Sequence, residues 1–198
     1  MRNVLPPVDL AAERAADVPV RPETARFSGG QAAEDGRLVL AARDGDRSAF
    51  ELLYDRYARL VHGLLLARVS RDEVDDLVQD VFLAAWRRLD DLRDPAAFGG
   101  WVAMIARNRA TDFHRRSADL VELPDNLQAR GASSARAEAR AALDAIRSLP
   151  EAYRDTLVLR LVEGLTGPEI AMRTGLTPAS VRVNLHRGMK LLRDKLGR

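Results

Sequence analysis

The 198-residue sequence predicts an all-α protein of two small helical domains joined by a flexible linker. Three observations predict it. Apolar residues recur at spacings of three and four over residues 37–116 and again over residues 140–198, the period of a helix face, and no stretch alternates cleanly like a half-buried strand. Between these runs, residues 117–139 hold Pro124, Asn126, Gly131, Ser133 and Ser134 and few large apolar side chains. Aromatics make up only 5% of the chain, so each core rests on Leu, Val, Ile and Ala, and small domains are what such cores support.

Residues 1–36 carry Pro6, Pro7, Pro19 and Pro22, then Ser28, Gly29 and Gly30, with apolar residues that are mostly Ala and Val. A segment without a stripe buries too little surface to offset its ordering entropy, which predicts a disordered tail. A short docking helix around Leu10–Ala16 is the alternative.

In the first domain, Phe50, Leu53, Tyr54, Tyr57 and Val61 share one helix face. Arg71, Asp72 and Glu73 open the next helix, with acids where the helix dipole favours them. Its stripe is Val74, Leu77, Val78, Val81, Phe82, Ala85 and Leu89. Asp94-Pro95 breaks the pattern. A third stripe runs through Trp101, Val102, Ile105, Ala106 and Phe113, which places Trp101 in the core rather than on a base-stacking platform.

In the second domain, periodicity returns with Leu143, Ile146 and Leu149, and Pro150 is expected as the first residue of a new helix. Thr166, Pro168 and Glu169 have the composition of a helix start. Gly175 supplies the left-handed residue of a tight turn, which Leu176 is expected to pack. Thr177-Pro178 caps a second helix with Val181, Leu185, Met189 and Leu192 on one face. Short helix, glycine turn and longer helix make a helix-turn-helix.

Two polar faces carry functional information. The last helix presents Arg182, His186, Arg187 and Lys190 outward, with Ser180 and Asn184 near its start, and Asp194 is the sole acid after Glu169. Such a helix can enter a major groove and read base edges; a solvated basic helix on a bundle is the plain alternative. The helix from Asp72 to Leu89 presents Asp76, Gln79, Asp80 and Leu83 opposite its core stripe. An acidic face repels DNA, so it is suited to another protein, with Leu83 as an apolar anchor; a solvated face with one exposed Leu is the alternative.

Composition excludes other classes. The formal charge of +2 permits a polyanionic partner without demanding one. The absence of cysteine removes disulfides, thiol nucleophiles and cysteine zinc sites. No apolar run approaches the ~20 residues that span a bilayer. Met1–Leu10 lacks a signal-peptide core, so a cytoplasmic protein without membrane insertion is expected. His62, His114 and His186 fall in separate helices without metal-ligand spacing, and phosphate-binding glycine loops and nucleophile elbows are missing. No catalytic residue, metal or cofactor is therefore expected.

Gly45-Asp46, Ala49-Phe50 and Leu53-Tyr54-Asp55-Arg56-Tyr57 resemble the opening of region 2 in sigma-70 family proteins. The run from Asp75 to Trp86 resembles the segment with which those proteins hold the clamp helices of RNA polymerase. Phe98, Trp101-Val102, Ile105 to Asn108, Asp112 and Arg115-Arg116 resemble the part that opens and reads the minus-10 element. Leu149-Pro150, Tyr153-Arg154 and Leu161 to Leu165 resemble the start of region 4. With the short linker and no third domain between, the set is similar to the extracytoplasmic-function group.

The resemblance implies a region 2 helical bundle at residues 37–116 and a region 4 helix-turn-helix at 140–198. It implies core polymerase contact at Asp76, Gln79, Asp80 and Leu83, minus-10 recognition near Asn108, and DNA backbone contact at Arg107, Arg109, Arg115 and Arg116. Cations there also make independent sense, since phosphate contacts supply most non-specific affinity. It places minus-35 reading at Arg182, Val183, His186, Arg187 and Lys190. The implied partners are core RNA polymerase, promoter DNA and an anti-sigma factor, and the linker would thread toward the polymerase cleft. Ala179-Ser180-Val181 stands where Gly-Thr-Val is common, Val183-Asn184 where Ser-Arg is frequent, and Gly167-Pro168 where an aromatic-acid pair is usual. These departures bear on which promoter is read. The rival reading is a helix-turn-helix regulator with a sensing domain, which would not redirect core polymerase by itself.

Overall fold

The computed structural model describes the backbone of residues 22–120 and 134–197 and the side chains of residues 30–116 and 137–197. Eight α-helices follow one another among the described residues, and no strand occurs there: α1 (Pro22–Arg43), α2 (Arg47–Leu66), α3 (Arg71–Arg87), α4 (Phe98–Leu120), α5 (Ser134–Arg147), α6 (Glu151–Leu161), α7 (Gly167–Thr174) and α8 (Pro178–Leu196). Two short 3₁₀ turns, Leu89–Asp91 and Pro95–Ala97, join α3 to α4 at the expected Asp94-Pro95 break.

The expected tail of residues 1–36 is corrected by α1, which begins at Pro22; residues 1–21, with the Leu10–Ala16 alternative, lie outside the described residues. The reason is tertiary and ionic. Asp35 is 2% exposed and accepts hydrogen bonds from the Arg56 guanidinium and the Tyr57 hydroxyl. Gln31 donates to the same carboxylate at 3.3 Å, and Glu34 pairs with Arg56 at 3.3 Å. Val39 and Ala42 enter the core, and Gly36 lies against the Pro95–Ala97 turn. Burial, then the Asp35 carboxylate, pushes the Tyr57 hydroxyl far above its usual range, so it stays a donor. Asp35→Ala is expected to strand this buried donor and Arg56, lowering stability by about 3 kcal/mol. Thermal circular dichroism should show a midpoint lower by roughly 6–12 °C.

Helices α2, α3 and α4 form the N-terminal core around Leu53, Leu60, Val74, Val81, Phe98 and Val102. Asp46 caps α2, accepting from the backbone N–H groups of Ser48 (2.9 Å) and Ala49 (3.3 Å). Tyr54 departs from its expected stripe: it is exposed, with one ring face tilted onto Phe82 at 4.5 Å. Trp101 is partly buried against the core. The expected linker is shortened at both ends, because α4 runs to Leu120 and α5 starts at Ser134; its flexibility concerns residues outside those described.

In the C-terminal half, Pro150 is the residue before α6 rather than its first. Thr166 and Glu169 close a capping box: Glu169 N–H donates to Thr166 Oγ1, and Thr166 N–H donates to Glu169 Oε2 at 2.7 Å. The Thr166 backbone N–H first, then the Thr166 hydroxyl, which donates to Glu169 Oε2 at 2.7 Å, hold the Glu169 carboxyl below its usual range. Gly175 ends α7 at φ +76°, a conformation that favours glycine. Leu176 does not pack the turn as expected: it is exposed, and the turn is held by Gly175 and by Leu176 N–H donating to Thr174 Oγ1 at 3.3 Å. Thr177 caps α8, whose Val181 and Leu192 are buried and whose Leu185 and Met189 pack against the core.

The two halves lie against each other, and their buried apolar residues form one connected cluster. Helix α6 packs on α2, and α7 on α4. Charge lines the contact: Arg68 meets Asp155 at 2.7 Å and His62 Nδ1 lies 2.7 Å from Glu163 Oε1. The Glu163 hydrogen bond raises the His62 pKa above its usual value near 6.5, against the opposing effect of burial. Because the folded-state pKa is raised, this contribution is complete below pH 6.5 and is lost as pH rises through the raised value. Thermal midpoints measured from pH 6 upward should decline over that window, and His62→Gln should flatten the decline.

Candidate nucleic-acid and polymerase interfaces

The first surface is the outer face of α3. Its inner face buries Val74, Leu77, Val78, Val81, Phe82, Ala84 and Ala85. Asp76, Gln79, Asp80 and Leu83 follow at helical spacing on the opposite side, and all four are exposed. Leu83 is 47% exposed, and Trp86, one turn on, is 37% exposed while its ring meets Phe50 edge-on at 4.8 Å. The face is thus an apolar spot at one end of an acidic strip, fixed by the core stripe behind it.

The second surface is α4. Counting about 100° per residue, Asn108 and Arg115 point directly away from the buried Val102, Ala106 and Ala110. Met104 and Thr111 join them, giving an exposed stripe of Met104, Asn108, Thr111 and Arg115. Sequence reasoning missed Met104 and Thr111; their spacing of four and three around Asn108 was the available signal. Arg109, half-buried, and Arg116, exposed, lie farther round, about 110–130° from the stripe toward the core side. Arg107 lies on the other flank, toward α6, where it pairs with Glu151 (3.3 Å) and Asp155 (3.2 Å). The five residues expected on DNA are therefore spread around the helix: Asn108 and Arg115 on the stripe, Arg107 about 70° to one side, and Arg109 and Arg116 about 110–130° round on the other. Arg115 is held at 3.0 Å by Asp112 and stays largely exposed.

The third surface is α8. Arg182, Val183, His186, Arg187 and Lys190 are all exposed, and Val183 is 43% exposed. The same angular count puts Val183 and Lys190 nearest the line opposite Val181 and Leu192, His186 and Arg187 about 50° to either side of it, and Arg182 on the flank. Among the described residues no group of three or more His, Asp or Glu side chains could hold a metal ion. No described helix is long and apolar enough to cross a membrane.

A model of sigma-70 region 2 matches residues 53–119, and a model of sigma-70 region 4 matches residues 139–192. The ECF RNA polymerase sigma-E factor of Haemophilus influenzae is 31% identical over 190 residues, covering 82% of this chain and 95% of that protein. The chain belongs to the sigma-70 family. Within it, the sequence falls in the extracytoplasmic-function group, whose members are promoter-directing, non-catalytic subunits of RNA polymerase. The sigma factor CarQ of Myxococcus xanthus is 34% identical over 163 residues, covering 78% of this chain and 93% of CarQ. The solved structure of CnrH in complex with the cytosolic domain of CnrY aligns with a TM-score of 0.57 and 27% identity, covering 83% of this chain and 97% of that one. In sigma-70 terms, α2 to α4 fall in region 2 and α5 to α8 in region 4, so the first two surfaces belong to region 2 and the third to region 4.

Proposed function

We propose that the three surfaces divide the work of initiation among themselves. The α3 face of Asp76, Gln79, Asp80 and Leu83 docks on core polymerase. The α4 stripe around Asn108 and Arg115, with Arg107 on one side and Arg109 and Arg116 on the other, takes the minus-10 strand once it is unpaired. Arg182, Val183, His186, Arg187 and Lys190 of α8 read the minus-35 duplex. The working units are residues 22–120 and 134–197. The chain has no catalytic centre of its own, acts in the cytoplasm, and is restrained by an anti-sigma protein; the related CnrH being solved with a protein partner supports the last point.

The single observation that carries this reading is the separation of charge by surface: acids on the outer α3 face, cations on α4 and α8. Acids repel phosphate, so α3 suits protein while the others suit nucleic acid. A bundle of the α7–α8 type places α8 in a major groove about 12 Å wide, where Arg and Val side chains reach guanine edges and thymine methyls. Minus-10 contacts instead need single-stranded bases, for which an exposed Met offers a polarizable apolar contact, Asn offers hydrogen bonding and the guanidinium groups offer cation–π contact.

Capture of sheared genomic DNA tests it. Core polymerase and the chain together are expected to enrich a small set of fragments that neither enriches alone. Equal enrichment by the chain alone would favour an ordinary helix-turn-helix regulator.

A further inference from the structure

Val183 is an apolar side chain at the centre of a polar face. It is 43% exposed and lies about 10° from the line opposite Val181 and Leu192. It stands apart from the apolar cluster that takes Val181, Leu185, Met189 and Leu192. A β-branched residue serves an exposed helix position less well than Ala, Arg or Lys, so the packing of α8 gives no reason for valine here.

The residues along this face change in kind from one end to the other. His186, Arg187 and Lys190 follow Val183 toward the C-terminus. One turn before it stands Ala179, also exposed and about 30° from the same line. The polar side chain of that first turn is engaged by the helix cap: Ser180 Oγ lies 2.8 Å from Thr177 Oγ1, and Ser180 N–H donates to that oxygen at 3.1 Å. The N-terminal turns of a recognition helix are the ones that meet base edges. On α8 the outward side chains of these turns, Ala179 and Val183, end in methyl groups.

Chemistry decides what such a surface selects. Adenine, guanine and cytosine present donors and acceptors in the major groove, and thymine adds a 5-methyl group. Valine pressed on a polar edge strips water from a donor or acceptor and offers no hydrogen bond in return. Pressed on a C5-methyl, it buries apolar surface on both partners. A helical valine is held largely in one rotamer, so little freedom is lost on contact. The group recognised is the methyl rather than the base that bears it, and cytosine methylated at C5 presents the same group.

We propose that Val183, with Ala179 beside it, reads the C5-methyl of one pyrimidine in the minus-35 element. It is then a specificity-determining residue that accepts thymine or 5-methylcytosine and disfavours uracil or unmethylated cytosine. This role rests on α8 being the minus-35 reader. It makes upstream recognition responsive to cytosine methylation at that position, and it separates Val183 from Arg187, which meets a hydrogen-bonding edge.

The test uses the full chain with core polymerase. The holoenzyme first selects upstream elements from duplex DNA randomised over that region. Each pyrimidine of the selected element is then made in four forms: thymine or uracil opposite adenine, and 5-methylcytosine or cytosine opposite guanine. At one pyrimidine the methylated form is expected to bind about fourfold tighter in both pairs, the worth of one buried methyl group. Val183→Ala should at least halve both ratios with its helix content by circular dichroism unchanged. Arg187→Ala should weaken binding and leave both ratios as in the parent. Ratios unchanged in Val183→Ala, or no pyrimidine whose methyl matters to the parent, would overturn the methyl contact, even with Arg187→Ala altering the selected element. A methyl effect on thymine alone would overturn recognition of the methyl as such. A holoenzyme that selects no upstream element would instead overturn α8 as the reader, and the role of Val183 with it.

Discussion

Leu83→Arg is expected to abolish binding to core polymerase while leaving the helical fold intact. Leu83 is half exposed on the outer side of α3, so an arginine there extends into water without disturbing Val81, Phe82 or Ala84 behind it. The fold loses no buried apolar area. An interface seated on this face loses its apolar anchor and gains a cation to desolvate. Removing such an anchor commonly costs ~2 kcal/mol or more, about thirtyfold in affinity, and an unpaired buried charge adds to that. Core-polymerase pull-down and thermal circular dichroism on the same preparation check it. Retained binding would mean that α3 does not face the polymerase.

The second large effect is expected on α8. Arg187 lies near the line opposite the core stripe, whereas Arg182 lies on the flank, and the two differ by about 140° around the helix. The central position suits a base edge and the flank suits a phosphate. A bidentate arginine on guanine is worth ~1–3 kcal/mol of discrimination. Arg187→Ala should therefore relax sequence preference in the upstream element, by about fivefold to more than a hundredfold at one position. Arg182→Ala should weaken all sequences alike and reduce the salt slope by about one. Holoenzyme binding to a panel of upstream-element mutants, at several salt concentrations, separates these outcomes. If neither variant alters recognition or affinity, α8 is not the upstream reader.

Much of the site was legible because its signals are local. Thr166, Pro168 and Glu169 start α7, Gly175 stops it, and Thr177-Pro178 starts α8; each acts within four residues of itself. Leu83 stood out because a helix period assigns one face to the core and leaves an apolar residue on the other. What was not legible depends on partners far along the chain. The N-terminal part of α1 was read as tail because its anchor is Asp35, a carboxylate whose value lies in Arg56 and Tyr57 some twenty residues on. The pairing of Arg107 with Asp155 and Glu151 was not legible either, because neither acid announces a partner 48 or 44 residues upstream. Charge composition shows which surfaces attract; the fold alone shows which cations are already taken.

The measurement closest to the proposed role maps transcript 5′ ends made on genomic DNA by core polymerase with and without this chain. The predicted result is a set of starts that requires the chain, each preceded by two shared elements at the minus-10 and minus-35 positions, and lost with Leu83→Arg. Identical starts with and without the chain would contradict it.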